Sequence, residues 1–183
     1  MWSGAAGSPS GMISLSVEEN RKYRAAVVTV SDKGFSGERE DESGRVVREM
    51  LEGAGIEVAL TEIVQDDLTA LTGLLEGICG KGLNLIVTTG GTGLSPRDVT
   101  PEATLSLIER EVPGMAEAMR AESLKVTPHA MISRAVCGLA GQTLIINLPG
   151  SPKGARECLQ VVLPAVPHAL EVASGGASEC AAG

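Results

Sequence analysis

Aromatic residues are almost absent from this sequence. Its 183 residues include one Trp, one Tyr and one Phe. Binding of single-stranded nucleic acid by stacking needs a platform of aromatic side chains, and three residues cannot build one. Basic residues are also in deficit. Lys and Arg number 15 against 23 Asp and Glu, a net charge of −8, which excludes a broad footprint on a phosphate backbone. The four cysteines, Cys79, Cys137, Cys158 and Cys180, are scattered with no C-x-x-C pair, so neither a disulfide framework nor a zinc ribbon is expected. Only two histidines, His129 and His168, are available as further zinc ligands, too few for a compact site. Reduced thiols in a cytoplasmic protein are the economical reading. No charged start leads into an apolar stretch, and no apolar run approaches the ~18 residues of a membrane span, so neither a signal peptide nor a membrane anchor is expected.

What the sequence has is aliphatic residues and glycine. Hydrophobic residues make up 43% of the chain, enough for a core built without rings. Residues 1–21, which contain Trp2, and 174–183 are rich in Gly, Ser and Ala and read as disordered tails. Residues 22–173 read as one domain. Within it, short β-branched runs alternate with helical periodicity. Strands are expected at Ala25–Val30, Ile56–Val64, Leu83–Thr88 and Thr143–Leu148. Val46, Val47, Met50 and Leu51 recur at helical spacing, and Gly55 closes that helix. Leu68, Leu71, Leu74, Leu75 and Ile78 form a second stripe. Thr100-Pro101 reads as a cap followed by Pro at the first helical position, opening a helix to about Arg110. Pro113-Gly114 should break it, with Met115–Lys125 helical again. Ser151-Pro152 caps a last helical region, which Pro164 and Pro167 should interrupt. The alternation predicts an α/β fold, a single domain with a mostly parallel sheet flanked by helices on both faces.

Such sheets bind ligands beyond the carboxyl ends of their strands, which singles out four loops. Thr88–Thr100 runs T-T-G-G-T-G-L-S-P-R-D-V-T. Gly90, Gly91 and Gly93 permit close backbone approach, and their amides suit an anion. It is neither a Walker A loop nor a G-x-G-x-x-G turn. After Val30 come Ser31, Asp32, Asp41, Ser43 and Gly44, small polar groups that either cap a helix or bond to a heterocycle's edge. After Val64 come Asp66 and Asp67. Either caps the next helix, or one of them meets Asp98 across the sheet edge to hold Mg²⁺ with substrate phosphates. After Leu148, P-G-S-P-K-G leads into a helix N-terminus, a ready anion site. The spacing of His129 and Ser133 is not enough for a nucleophile, because no third group orients the histidine. From these residues alone the reading is an α/β domain that binds a phosphorylated small molecule with Mg²⁺.

Taken in order, five segments resemble the MogA/MoaB family of molybdenum cofactor biosynthesis, the molybdopterin adenylyltransferases. They are T-V-S-D at Thr29–Asp32, D-E-S-G at Asp41–Gly44, T-T-G-G-T-G-x-x-x-R-D-V-T-P-E-A-T at Thr88–Thr104, S-L-K-V-T-P-x-A-M-I-S-R at Ser123–Arg134 and I-I-N-L-P-G-S-P-K at Ile145–Lys153. The resemblance spans about Tyr23 to Val172. It implies ATP and molybdopterin as substrates, adenylylated molybdopterin and pyrophosphate as products, Mg²⁺ as cofactor, a homotrimer, and handover to a downstream metal-insertion protein. It assigns Asp66 and Asp98 as catalytic and metal-binding. Pterin binding falls on Ser31, Asp32, Asp41, Ser43, Gly44, Ser123, Ser133 and Arg134. Nucleotide and phosphate binding fall on Gly90, Gly91, Thr92, Gly93, Asn147, Pro149, Gly150, Ser151 and Pro152. Gln65 stands where the family commonly has Pro, and Asp66 is favoured over Asp67 as the functional carboxylate. Two alternatives are a non-catalytic pterin carrier, against which both carboxylates and the full glycine loop argue, and a scaffold role. With so few aromatics, ligand recognition must rest on backbone, hydroxyls and carboxylates, and Phe35 is the one ring expected near the site.

Overall fold

The computed structural model describes residues 23–176. The expected tail over 1–21, with Trp2, lies outside the described residues, as does all but the start of the tail expected over 174–183. Ser174–Gly176 continue the last helix as a turn.

Six strands form one sheet in the order β2-β1-β3-β6-β5-β4. They are β1 (Arg24–Val30), β2 (Glu57–Val64), β3 (Leu85–Thr89), β4 (Arg110–Glu111), β5 (Cys137–Ala140) and β6 (Thr143–Leu148). The pairings of β1 with β2 and β3, and of β3 with β6, are parallel, whereas β4 and β5 are antiparallel additions. The helices are α1 (Asp32–Phe35), α2 (Glu42–Gly53), α3 (Leu68–Cys79), α4 (Thr100–Leu105), α5 (Pro113–Leu124), α6 (Pro152–Val162) and α7 (Val166–Ala173), with 3₁₀ turns at Pro128–Ile132 and Leu163–Ala165.

Alternation along the central strands divides the core in two. Ala25, Val27, Leu85, Val87, Leu144 and Ile146 face the helices α2, α5, α6 and α7. Ala26, Val28, Val30, Ile86 and Ile145 face Leu71, Leu75 and Ile78 of α3 and Ala103 of α4. These strands are buried on both faces, which is why they read as unbroken apolar runs. The expected mostly parallel sheet with helices on both sides is what the chain forms.

Three local expectations need correction. The helix starting at Thr100 ends at Leu105, not near Arg110, and Thr100 is no cap. Its hydroxyl donates instead to Gly90 O at 2.8 Å. Arg110–Glu111 then forms an edge strand opposite Gly138 and Leu139. A Cβ at Gly138 would lie 2.5 Å from Ile108 Cδ1 and 2.8 Å from Arg110 O, so only glycine lets this segment cross the sheet edge. Pro113 does not break a helix but starts α5, where its missing N–H has no partner to lose. The interruption at Pro164 and Pro167 is present, as the 3₁₀ turn between α6 and α7.

Candidate active site

The strand order reverses at β1, whose connections lead to β2 on one side and β3 on the other. A crevice opens at such a switch point, outside the carboxyl ends of the strands. The loops after β1, β2, β3 and β6 meet there around a cavity of about 630 Å³. Ser31, Asp41, Ser43, Asp66, Gly90, Gly91, Gly150, Ser151 and Pro152 are among its lining residues. Four carboxylates, Glu40, Asp41, Glu42 and Asp66, face one cation, Arg39.

The glycine loop is seated against the sheet. Gly90 (φ 99°) and Gly91 (φ 65°) adopt left-handed backbone. A Cβ on Gly90 would stand 2.3 Å from Val30 O, and one on Gly150 would stand 3.1 Å from Gly90 Cα. Gly90 N donates to Leu148 O at 3.1 Å, and Thr89 Oγ1 donates to Pro149 O at 2.9 Å. The loops after β3 and β6 are thereby one unit. Ser151 caps α6 by accepting from Gly154 N at 3.1 Å, so the N-terminus of that helix opens beside the cavity.

The two acidic residues after β2 separate cleanly. Asp67 caps α3, accepting from Ala70 N at 2.8 Å. Asp66 turns the other way. Its Oδ2 accepts from Asp32 N at 2.9 Å, and its own N donates to Asp32 Oδ1 at 3.0 Å. Arg97 closes the group through an ion pair to Asp32 Oδ2 at 2.6 Å and a bond to Asp66 O at 3.3 Å. Burial raises the Asp66 pKa most. The hydrogen bond from Asp32 N opposes it, the Asp32 charge adds to it, Arg97 opposes it, and the Asp98 charge adds to it. Asp98 sits at the far end of the glycine loop, its Oδ2 accepting from Ser95 N at 2.7 Å and packed 3.0 Å from where a Gly93 Cβ would be. Asp66 Oδ1 and Asp98 Oδ1 carry no hydrogen bond from the described residues. Among those residues, no three His, Cys, Asp or Glu side chains gather as a resident metal would need.

A second cavity of about 480 Å³ lies on the other side of the glycine loop. It shares Ser151 with the first and is walled by Ala116 and Met119 of α5, Val126, Ala130, Ile132 and Ala135. Thr92, Gly93, Ser123, Ser133, Asn147 and Pro149 also line it. Ser123 Oγ and Cys158 Sγ are 3.6 Å apart at its wall. Burial pushes the Cys158 thiol up and takes the Cys137 thiol to about 12, so neither is a thiolate at neutral pH.

A comparison with protein families matches residues 26–168 to the family described as "Probable molybdopterin binding domain". That is more than half of the chain. The protein belongs to this molybdopterin-binding family. Helicobacter pylori molybdopterin adenylyltransferase is 41% identical over 156 residues, covering 81% of this chain and 86% of that one. The Drosophila melanogaster molybdenum cofactor synthesis protein cinnamon is 41% identical over 148 residues, 80% of this chain but only 25% of its own length. The chain is therefore similar to a quarter of that protein and to most of the bacterial one. Among solved structures, the Thermus thermophilus molybdopterin biosynthesis enzyme MoaB superposes with a TM-score of 0.79 at 54% identity, covering 84% of this chain and 97% of that one.

The molybdopterin-binding domain distributes the expected residues unevenly. Ser31, Asp41 and Ser43 line the polar cavity with Gly90 and Gly91, whereas Ser123 and Ser133 line the apolar one with Thr92 and Gly93. The eight residues expected on the pterin side are thus not brought together. Asp41 is occupied within the fold, accepting from Gly44 N at 2.8 Å and from Thr29 Oγ1 at 2.8 Å. Gly44 is held to that role, since a Cβ there would lie 2.1 Å from Asp41 Oδ2. Arg134 clamps the glycine loop, donating to Gly93 O at 2.7 Å, to Asp98 O at 2.5 Å and to Glu102 Oε1. Asn147 is fully buried, donating to Thr88 Oγ1 at 3.0 Å and Thr104 Oγ1 at 2.9 Å. Phe35 is 59% exposed and lines neither cavity, so among the described residues no Phe, Tyr or Trp stands in the wall of either, and the one aromatic ring there is the His129 imidazole in the apolar cavity. Met119, Arg120 and Cys158 are among the lining residues that loop-by-loop reading misses. The signal is present in α5, where Ala116, Met119, Arg120 and Ser123 share one helical face.

Proposed function

We propose that this protein transfers the adenylyl group of ATP to molybdopterin, releasing pyrophosphate, as a step of molybdenum cofactor biosynthesis. The observation that most supports this reading is the pair of cavities meeting at Ser151 across the glycine loop. One is polar and carries Asp66. The other is largely apolar with a few hydroxyls. A nucleotide triphosphate suits the first and a pterin ring the second, with the two reacting phosphates meeting at the shared edge.

An oxygen of the molybdopterin phosphate attacks the α-phosphorus of ATP. The bond from that phosphorus to the oxygen bridging to the β-phosphate breaks, and pyrophosphate leaves with the electron pair. The nucleophile is already anionic, so no serine or thiolate of the protein is needed, in keeping with the raised thiol pKa values. Catalysis then rests on positioning and on stabilising charge at the α-phosphate. The amides of Gly90 and Gly91 and the N-terminus of α6 offer donors fixed before the reaction. Asp66 and Asp98 would hold Mg²⁺, each with an oxygen left over by the fold. Two carboxylates alone suit an ion completed by substrate phosphates and water. When bound, Mg²⁺ neutralises phosphate charge. The raised Asp66 pKa fits a carboxylate that gains from a nearby cation.

We place the reaction in the cytoplasm, in a homotrimer with a mass three times the 18.8 kDa of the chain, with product passed to a metal-insertion protein. The described thiols are free, and no described helix is long and apolar enough to cross a membrane. The deciding experiment is pyrophosphate release from ATP plus molybdopterin, with and without Mg²⁺. Release that needs all three components is expected. Tight molybdopterin binding with no release would replace this reading with a pterin carrier.

A further inference from the structure

We propose that Arg120 reads the ring of the substrate in the apolar cavity, its guanidinium donating to the ring carbonyl of the pterin. This deepens the function proposed above and rests on it. Three arginines other than Arg120 have no carboxylate partner among the described residues, namely Arg39, Arg110 and Arg156, and all three are exposed in water. Arg120 is different, being half-buried on α5 next to Met119 and one turn after Ala116, and lining the apolar cavity with them. Among the described residues its side chain makes one hydrogen bond, from Nη1 to Ala135 O at 3.0 Å. A guanidinium has five N–H donors in a rigid fork, so several are left facing space. None of these donors is sealed from solvent without a partner; they line the cavity and the smaller space beside it, where a ligand can reach them. Arg134, the other half-buried arginine near this wall, has Glu102 and two carbonyls.

The position of Arg120 gives its partner an orientation. The apolar cavity adjoins the polar one at Ser151. It adjoins a smaller space of about 300 Å³ at Ala116, Arg120, Ser133 and Ala135. A substrate whose phosphate reaches Ser151 therefore has its ring toward Arg120. The pterin ring carries a carbonyl at C4, a good acceptor for a cationic donor. Glu111 also lines the smaller space but makes no ion pair with Arg120. The donors are thus left for a ligand, and Arg120 acts as a specificity-determining residue.

The test measures molybdopterin and ATP binding to the wild type, R120M and R120K, together with KM and kcat. R120M should weaken molybdopterin binding about 10- to 100-fold, the scale expected when a polar recognition partner is lost. ATP affinity should stay within about twofold and kcat change little. R120K keeps a charge and one donor for Ala135 O but not the fork, and should recover only part of the loss. Competition adds a readout that packing would not move. Pterin, which has the carbonyl, should displace molybdopterin from the wild type better than 2,4-diaminopteridine, where an amino donor replaces it, and R120M should lose that preference. A wild type that does not distinguish the two compounds, or an R120M protein with unchanged molybdopterin affinity, overturns the assignment of Arg120 alone. A wild type that does not bind molybdopterin overturns the functional reading, and this proposal with it.

Discussion

The Asp66 carboxyl lies half-buried in the wall of the polar cavity, tied to Asp32 and within the field of Asp98. Desolvation is the main reason its pKa is raised. The folded state therefore holds a proton that the unfolded chain gives up, and stability falls as pH rises from the ordinary aspartate value, about 4, to the raised one. Above that window the ionised group is a constant burden, which an amide would lift. Asp66→Asn should accordingly be at least as stable as wild type at pH 7, with the difference vanishing below about pH 4. Its turnover should fall at least ~100-fold, the scale of a lost electrostatic stabiliser. Melting curves at the two pH values and pyrophosphate release measure both effects, and near-wild-type turnover would remove Asp66 from the mechanism. Asp67, its neighbour in sequence, is the control. It caps α3 and points away from the pair.

Between β3 and α4 the chain works as one element whose shape is set by what it presses against. Gly90 touches Val30 O, Gly150 touches Gly90, and Arg134 holds the far end through Gly93 and Asp98. Gly90→Ala forces a Cβ to 2.3 Å from Val30 O at φ 99°. The loop or β1 must then shift, at a cost on the order of 2–4 kcal/mol. Gly37→Ala is the comparison. It shares a left-handed backbone (φ 78°) but has nothing within 4 Å, so only the intrinsic strain of about 1 kcal/mol remains. Urea unfolding of the two variants separates the effects, and equal losses would show that contact with β1 is not what Gly90 provides. Such loops are legible in the sequence because glycine and capping residues mark them. The wall of the apolar cavity is less legible. On α5, a face that lines a cavity has the same periodicity as one that fills a core. Asp41 and Arg134 are legible as polar residues near the site, but not as parts whose bonds are spent within the protein, because partners such as Thr29, Gly93 and Asp98 lie elsewhere in the chain.

For the whole molecule, β1, β3 and β6 can be read directly because burial on both faces leaves unbroken apolar runs. The antiparallel strands β4 and β5 cannot, since two residues and C-G-L-A carry no period and their pairing is fixed by distant neighbours. Charge is the property that belongs to the molecule as a unit. The chain carries −8, and four of the five charged groups lining the polar cavity are carboxylates, so near and far fields have the same sign. The proposed substrates are themselves polyanions. Association should therefore begin against repulsion, with attraction confined to amides, Mg²⁺ and a few cations at contact. Raising ionic strength shortens the Debye length from roughly 30 Å at 0.01 M to about 8 Å at 0.15 M, which screens the repulsion while leaving contact interactions largely intact. The association rate of molybdopterin should thus rise a few-fold over that range at constant free Mg²⁺, opposite to the behaviour of a basic polyanion-binding protein. Stopped-flow binding at the two salt concentrations measures it. A rate that instead falls steeply with salt would mean that Arg39, Arg97 and Lys153 outweigh the acidic surface at the mouth of the site.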